Sequence, residues 1–386
     1  MFKDNPKLKN IFFLGFLLSL QLAFTSYLNS SFISIFSGEK YVSLVYILSS
    51  TSSLLVLFYI PKILQKVGEY RFLLWSSGLN ALSLLLLSLL KNSAGVIPVF
   101  IFYFTLNNLI IFALDELVQI FSKNSSTGRV RGMYLTIINL AWVVAQALSG
   151  ETLSHFSFSV LYFIAFMLMA ILFISTFFGL RNMTDPKYDK VLAWQSFKNF
   201  FANKNLARAY KINFLLQFFY VWMVIYTPIY LYTHLGFSWK EISIMFTTML
   251  LPFVLIQFPL GRYSDKIGEK KMLLFGFFIA SFATLSLFFI KIHEVWIWAL
   301  ILFCTRIGAA IIEVMSDVYF FKHIKKENDE FIAIYRNTLS VSYVLAPMIA
   351  LVIFIFIPSF NFIFLILGAF MLSGIYLSSA IKNNDI

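Results

Sequence analysis

Long uninterrupted apolar runs fill almost the whole chain, separated by short polar connections. A helix rising about 1.5 Å per residue needs roughly 20 apolar residues to cross a hydrocarbon layer about 30 Å thick. The pattern predicts twelve membrane-spanning helices near 11–36, 41–60, 71–90, 96–121, 133–153, 159–180, 210–233, 240–260, 271–290, 295–321, 331–357 and 361–381. The runs are continuously apolar rather than alternating, so the prediction is for helices and not a barrel. Lys3, Lys7 and Lys9 precede the first run. That run exceeds the roughly 7–15 apolar residues of a signal-peptide core and is read as the first span.

The polar interruptions repeat. GRYSDKIGEKK, from Gly261 to Lys271, separates the eighth and ninth runs, and PKILQKVGEYR, from Pro61 to Arg71, separates the second and third. Lys66, Gly68 and Glu69 fall in register with Lys266, Gly268 and Glu269, and Arg71 stands opposite Lys271. Ala141–Ala145 likewise aligns with Ser342–Ala346, and acids recur late in helices four and ten as Asp115 and Glu116, then Glu313 and Asp317. One long polar connection, Arg181 to Lys211, separates the copies. In it Val191, Leu192, Trp194, Phe197, Phe200 and Phe201 recur at helical spacing, which predicts an amphipathic helix lying in the membrane interface. The fold class is therefore an all-α polytopic membrane protein with twelve transmembrane helices in two pseudo-symmetric six-helix bundles. An N-terminal bundle covers 1–180, a linker 181–209 and a C-terminal bundle 210–386. Such a parallel duplication is a transporter layout.

Composition agrees, with 60% hydrophobic and only 12% charged residues, against about 25% charged in soluble domains. The net charge of +12 is a matter of topology and not of nucleic-acid binding. With both termini on one side, that side collects 25 of the 30 Lys and Arg residues. The positive-inside rule makes both termini cytoplasmic. Compact loops point to a prokaryotic plasma membrane. One cysteine, Cys304, excludes an internal disulfide and a cysteine-rich metal site, so no metal is expected. No phosphate-binding GxxxxGK[ST] loop is present, the four His are scattered, and neither a cofactor nor an enzymatic activity is expected.

The charged turn resembles the signature of the major facilitator superfamily, which follows helix two and often helix eight. Gly261, Asp265, Lys266, Gly268, Lys270 and Lys271 match it, whereas the first copy has Pro61 for the glycine and Gln65 for the aspartate. Helix five lacks the Gly-Pro of the family's antiporter branches, having no proline between Ala145 and Gly150. The resemblance implies a cytoplasmic latch formed by the turn, and a substrate cavity lined by helices one, four, seven and ten. On those helices the polar and aromatic candidates are Gln21, Thr25 and Asn29, then Asn108 and Phe112, then Gln217, Tyr220 and Tyr226, and finally Arg306. Gly268 suits a turn residue with positive φ.

Charges within spans are costly, about 2.5–3.5 kcal/mol each at a helix centre on insertion scales, so Asp115, Glu116, Arg306, Glu313 and Asp317 need partners or functions. Spacings of seven and four place Arg306, Glu313 and Asp317 on one helix face. Two readings stand side by side. In one, Asp115, Glu116 and Asp317 join Lys66, Gly68 and the signature turns in a gating network. In the other, Glu313 or Asp115 carries a proton through the transport cycle. Arg306 is either a substrate-binding cation or a lasting partner of Glu313. The expected function is proton-coupled efflux of a small amphipathic or drug-like compound by alternating access. Uptake of a sugar or other nutrient is the alternative, and a transporter-like sensor or a membrane enzyme the minor ones. The partners expected are the small-molecule substrate, the lipid bilayer and protons, with the chain acting as a monomer.

Overall fold

The computed structural model describes residues 6–121, 127–181, 193–256, 268–324, 330–357 and 359–381. The first six helices are α1 (Pro6–Ser37), α2 (Glu39–Val67), α3 (Glu69–Leu89), α4 (Ser93–Phe121), α5 (Thr127–His155) and α6 (Phe158–Leu180). A short helix α7 (Ala193–Ala202) precedes α8 (Lys204–Ile229), α9 (Trp239–Leu255), α10 (Glu269–Phe289) and α11 (Val295–His323). The chain ends in α12 (Glu330–Arg336), α13 (Thr338–Phe356) and α14 (Phe362–Ser379). Among the described residues there is no strand, and ten helices are long and apolar enough to cross a membrane. The other two predicted spans are helical as well. α5 carries Arg129, Arg131 and Glu151, and α9 runs up to residues outside the described set.

The second span runs on as helix through Val67 rather than ending at 60, so that of the predicted turn Pro61 to Arg71 only Gly68 is non-helical. Two further differences have local causes. The seventh span begins at Lys204 rather than 210, because the Asn203 side chain accepts hydrogen bonds from the amides of Asn205 (2.9 Å) and Leu206 (3.3 Å). Such a cap fixes a helix start even where the first turn is polar. The eleventh span is divided at Asn337, whose amide bonds back to the Ile334 carbonyl (3.2 Å) while the Thr338 hydroxyl donates to the Tyr335 carbonyl (2.9 Å). Asn and Thr favour such local alternatives to the helical ladder. Beyond Pro228, which lacks an amide proton, α8 widens into a π segment over Tyr230–His234.

The chain divides into two compact units, Met1–Asp189 and Lys190–Ile386. Within the first, α1 packs on α4, α5 and α6, α3 on α4 and α6, and α2 on α4. Within the second, α8 packs on α11, α13 and α14, α10 on α11 and α14, and α9 on α11. Replacing each helix by its counterpart converts the first set of pairings into the second, so the repeat seen in the turns extends to the internal packing of each unit. Large apolar side chains such as Trp75, Phe178, Phe275 and Tyr376 face outward, as expected where lipid replaces water as solvent.

The described parts of the two turns agree in backbone geometry. Gly68 has φ 81° and ψ 155°, Gly268 has φ 82° and ψ 147°, and each directly precedes a buried glutamate that opens the next helix. Gly268 thus takes the positive φ expected of it. Gly261, Asp265 and Lys266 lie outside the described residues. An alanine at either glycine must adopt a backbone conformation that is almost confined to glycine, at a cost of about 1–3 kcal/mol. Gly68→Ala and Gly268→Ala are therefore expected to lower thermal stability by similar amounts, read by melting of detergent-purified protein. A silent Gly268→Ala would show that the turn does not hold this geometry.

Candidate functional site

Each unit carries a connected polar cluster among its helices, and the two clusters differ in charge. In the first unit the hub is Tyr103 on α4. Its hydroxyl shares a hydrogen bond with the Thr25 hydroxyl (2.8 Å) and accepts one from the Gln21 amide (3.1 Å), both on α1. The Asn80 amide on α3 donates to the Tyr103 carbonyl (3.3 Å) and to Asn107 Oδ1 (3.0 Å). One α1 turn further on, Asn29 Oδ1 accepts from the Tyr162 hydroxyl of α6 (2.8 Å). Gln146 of α5 donates to the Ala23 carbonyl (2.6 Å). Every partner here is neutral. In a low-dielectric interior such bonds carry weight because the alternative is an unpaired buried group. Tyr103→Phe removes the hydroxyl from two partners and is expected to destabilise by about 1–2 kcal/mol, seen as a lowered melting temperature. An unchanged melt would mean the cluster rearranges freely.

The predicted cavity residues Gln21, Thr25 and Asn29 are thus joined to α4 and α6 inside the first unit. Asn108 donates to Ser53 of α2 (2.9 Å), while Phe112, Asp115 and Glu116 are half-buried along α4. Lys66 is exposed at the end of α2 and Gly68 is buried beside it.

The second unit holds the charged cluster. Arg306 on α11 is 1% exposed, and its guanidinium lies over the rings of Phe219 (5.0 Å) and Tyr220 (5.3 Å) on α8. Cation–π attraction reaches about 2 kcal/mol when desolvated, which offsets part of the expense of a cation at this depth. The Tyr220 hydroxyl donates to Glu313 Oε2 (3.2 Å), so one side chain touches both the cation and the carboxylate seven residues along α11. Four residues further, Asp317 Oδ1 accepts from the Tyr335 hydroxyl of α12 (3.0 Å), which also lies 3.2 Å from Ser316 Oγ. The face predicted from the spacing of Arg306, Glu313 and Asp317 is therefore a line of contacts to α8 and α12.

Gln217 donates to Asn213 Oδ1 (3.3 Å), and the Asn213 amide donates to Thr338 Oγ1 (2.9 Å). Tyr226 is buried against Trp222, Phe354 and Phe360, a ring-packing environment. The Glu269 carboxylate forms an ion pair with Lys322, tying the start of α10 to the end of α11, and Lys270 and Lys271 follow in the first turn of α10.

Tyr103, Asn80, Tyr162, Phe219, Tyr335 and the Glu269–Lys322 pair were not singled out from the sequence. Tyr103 and Asn107 are four apart on a helix already read as cavity-lining, so helical spacing offered a signal there. Tyr335 had none, because its role depends on the break at Asn337.

With this geometry in hand, comparison with known proteins gives two findings. Residues 212–382 match the family model of the Major Facilitator Superfamily. The chain also superimposes on the crystal structure of a variant of the nucleoside transporter NupG, with a TM-score of 0.77 and 11% identity, over 97% of this chain and 99% of that one. At that identity the likeness is one of fold. No curated protein sequence matches the chain.

Proposed function

Because this multi-pass membrane protein has the major facilitator fold over nearly its whole length, and its second half matches that family's model, we propose that it is a secondary transporter working by alternating access. It sits in the plasma membrane with the basic turns and both termini in the cytoplasm. Transport is coupled to protons through Glu313. The observation that carries this reading is Tyr220, which lies under the Arg306 cation while donating to the Glu313 carboxylate. Protonating Glu313 removes the charge that holds the Tyr220 hydroxyl and alters the balance around Arg306. Intramembrane carboxylates of this kind are what proton relays use. Coupling in the outward direction gives efflux of a small aromatic or amphipathic compound, recognised by the half-buried Tyr220 beside Arg306.

A second reading, uptake of a hydroxyl-rich nutrient, has its own support. The neutral amide and hydroxyl cluster around Tyr103 is chemistry suited to sugar-like groups, and a similar fold is described as a nucleoside transporter. A thermal-shift screen of the purified chain against nucleosides, sugars and lipophilic dyes, followed by flux of each hit in proteoliposomes, tests both. Dyes that stabilise and leave vesicles against a gradient support efflux. Nucleosides or sugars that stabilise and accumulate support uptake. Hits that bind without any flux contradict transport.

A further inference from the structure

Helix α7 has two aromatic sides. On one, Phe200 is fully buried and meets Tyr210 of α8 (6.1 Å), Phe320 of α11 (6.3 Å) and Phe331 of α12 (5.4 Å). On the other, Trp194 is 80% exposed, stacked on the exposed Phe197 at 6.3 Å and 9°, with exposed Lys198 one turn along. From Ala193 to Lys211 the sequence holds Lys198, Lys204, Arg208 and Lys211 and no acidic residue. Only Asn203 separates α7 from α8, so α7 lies where α8 enters the apolar layer. A tryptophan beside lysines at that level matches the lipid–water boundary, where indole rings settle among headgroups and lysines attract anionic lipid.

We propose that α7 is a binding site for anionic phospholipid headgroups, and that its docking controls the aromatic cluster under Phe200. The route is short. Phe320 stacks on Tyr335 at 4.0 Å and 8°, and Tyr335 donates to Asp317. Seating α7 on the membrane presses Phe200 into this stack and holds Tyr335 against Asp317. Membrane charge thereby sets the order of α12 beside the break at Asn337.

The test is hydrogen exchange of the full chain in nanodiscs of phosphatidylcholine alone or mixed with phosphatidylglycerol. The anionic lipid is expected to slow amide exchange across 193–202 about thirtyfold, the combined contribution of two surface lysines. Exchange across 330–336 slows with it. Lys198→Glu combined with Lys204→Glu removes the difference between the two lipids, while α10 exchanges as in the native chain and reports an intact fold. Phe200→Ala keeps the protection of α7 and loses that of α12. Equal exchange of α7 in both lipids would overturn the headgroup site, and would favour a protein docking on Trp194 instead. Protection of α7 that leaves α12 unchanged would overturn the coupling.

Discussion

Glu313→Gln is expected to lower pH-gradient-driven transport by about tenfold or more, each factor of ten corresponding to about 1.4 kcal/mol. Glutamine keeps the shape and can accept from Tyr220, but it is neutral at every pH. It cannot exchange a proton, and it leaves Arg306 with one fewer anionic neighbour on its face of α11. Substrate exchange without a gradient should survive, because binding does not need the proton step. Tyr220→Phe removes only the hydroxyl and should give a smaller loss, with the pH dependence shifted rather than abolished. Gradient-driven transport equal to the native level in Glu313→Gln would remove this carboxylate from the coupling step.

Gly308→Val is expected to have the largest effect on stability. A Cβ at Gly308 would stand 2.5 Å from the Ala280 amide nitrogen and 2.6 Å from the Gly276 carbonyl oxygen. Both are backbone atoms of α10, so no side chain can turn aside and the two helices must separate. Overpacking of this kind costs about 1–3 kcal/mol, a drop in melting temperature of roughly 2–12 °C for a unit of this size. Gly78→Ala is the control. Its new carbon would meet only the Phe173 ring, at 3.1 Å, and that half-exposed ring can shift. A Gly308→Val protein melting like the native one would show that α10 and α11 are not packed this closely.

Much of this architecture was legible in the sequence because lipid imposes a simple rule. Each span must be long, apolar and internally bonded, so spans and loops separate cleanly along the chain. The same rule made Arg306, Glu313 and Asp317 visible as exceptions, and their spacing placed them on one face. The Gly68 and Gly268 turns were legible as a repeat, and the geometry of both shows the same left-handed glycine. What stayed hidden depends on packing between distant segments. Nothing local marks Phe219 as the ring beneath Arg306, Asn80 as a partner of Tyr103, or Lys322 as the counter-ion of Glu269. The division at Asn337 was hidden for another reason. Arg336, Asn337 and Thr338 stand between apolar stretches, and hydropathy averaged over the whole run passes over the polar residues that interrupt it.

Proton coupling through the second unit is tested most directly by proteoliposomes loaded with the pH dye pyranine, with no imposed gradient. Substrate identified by thermal shift is added outside, and internal pH is followed. A substrate-dependent pH change is expected in native protein, abolished by a protonophore and absent in Glu313→Gln. Substrate flux with no pH change in native protein, or the same pH change in Glu313→Gln, would contradict it.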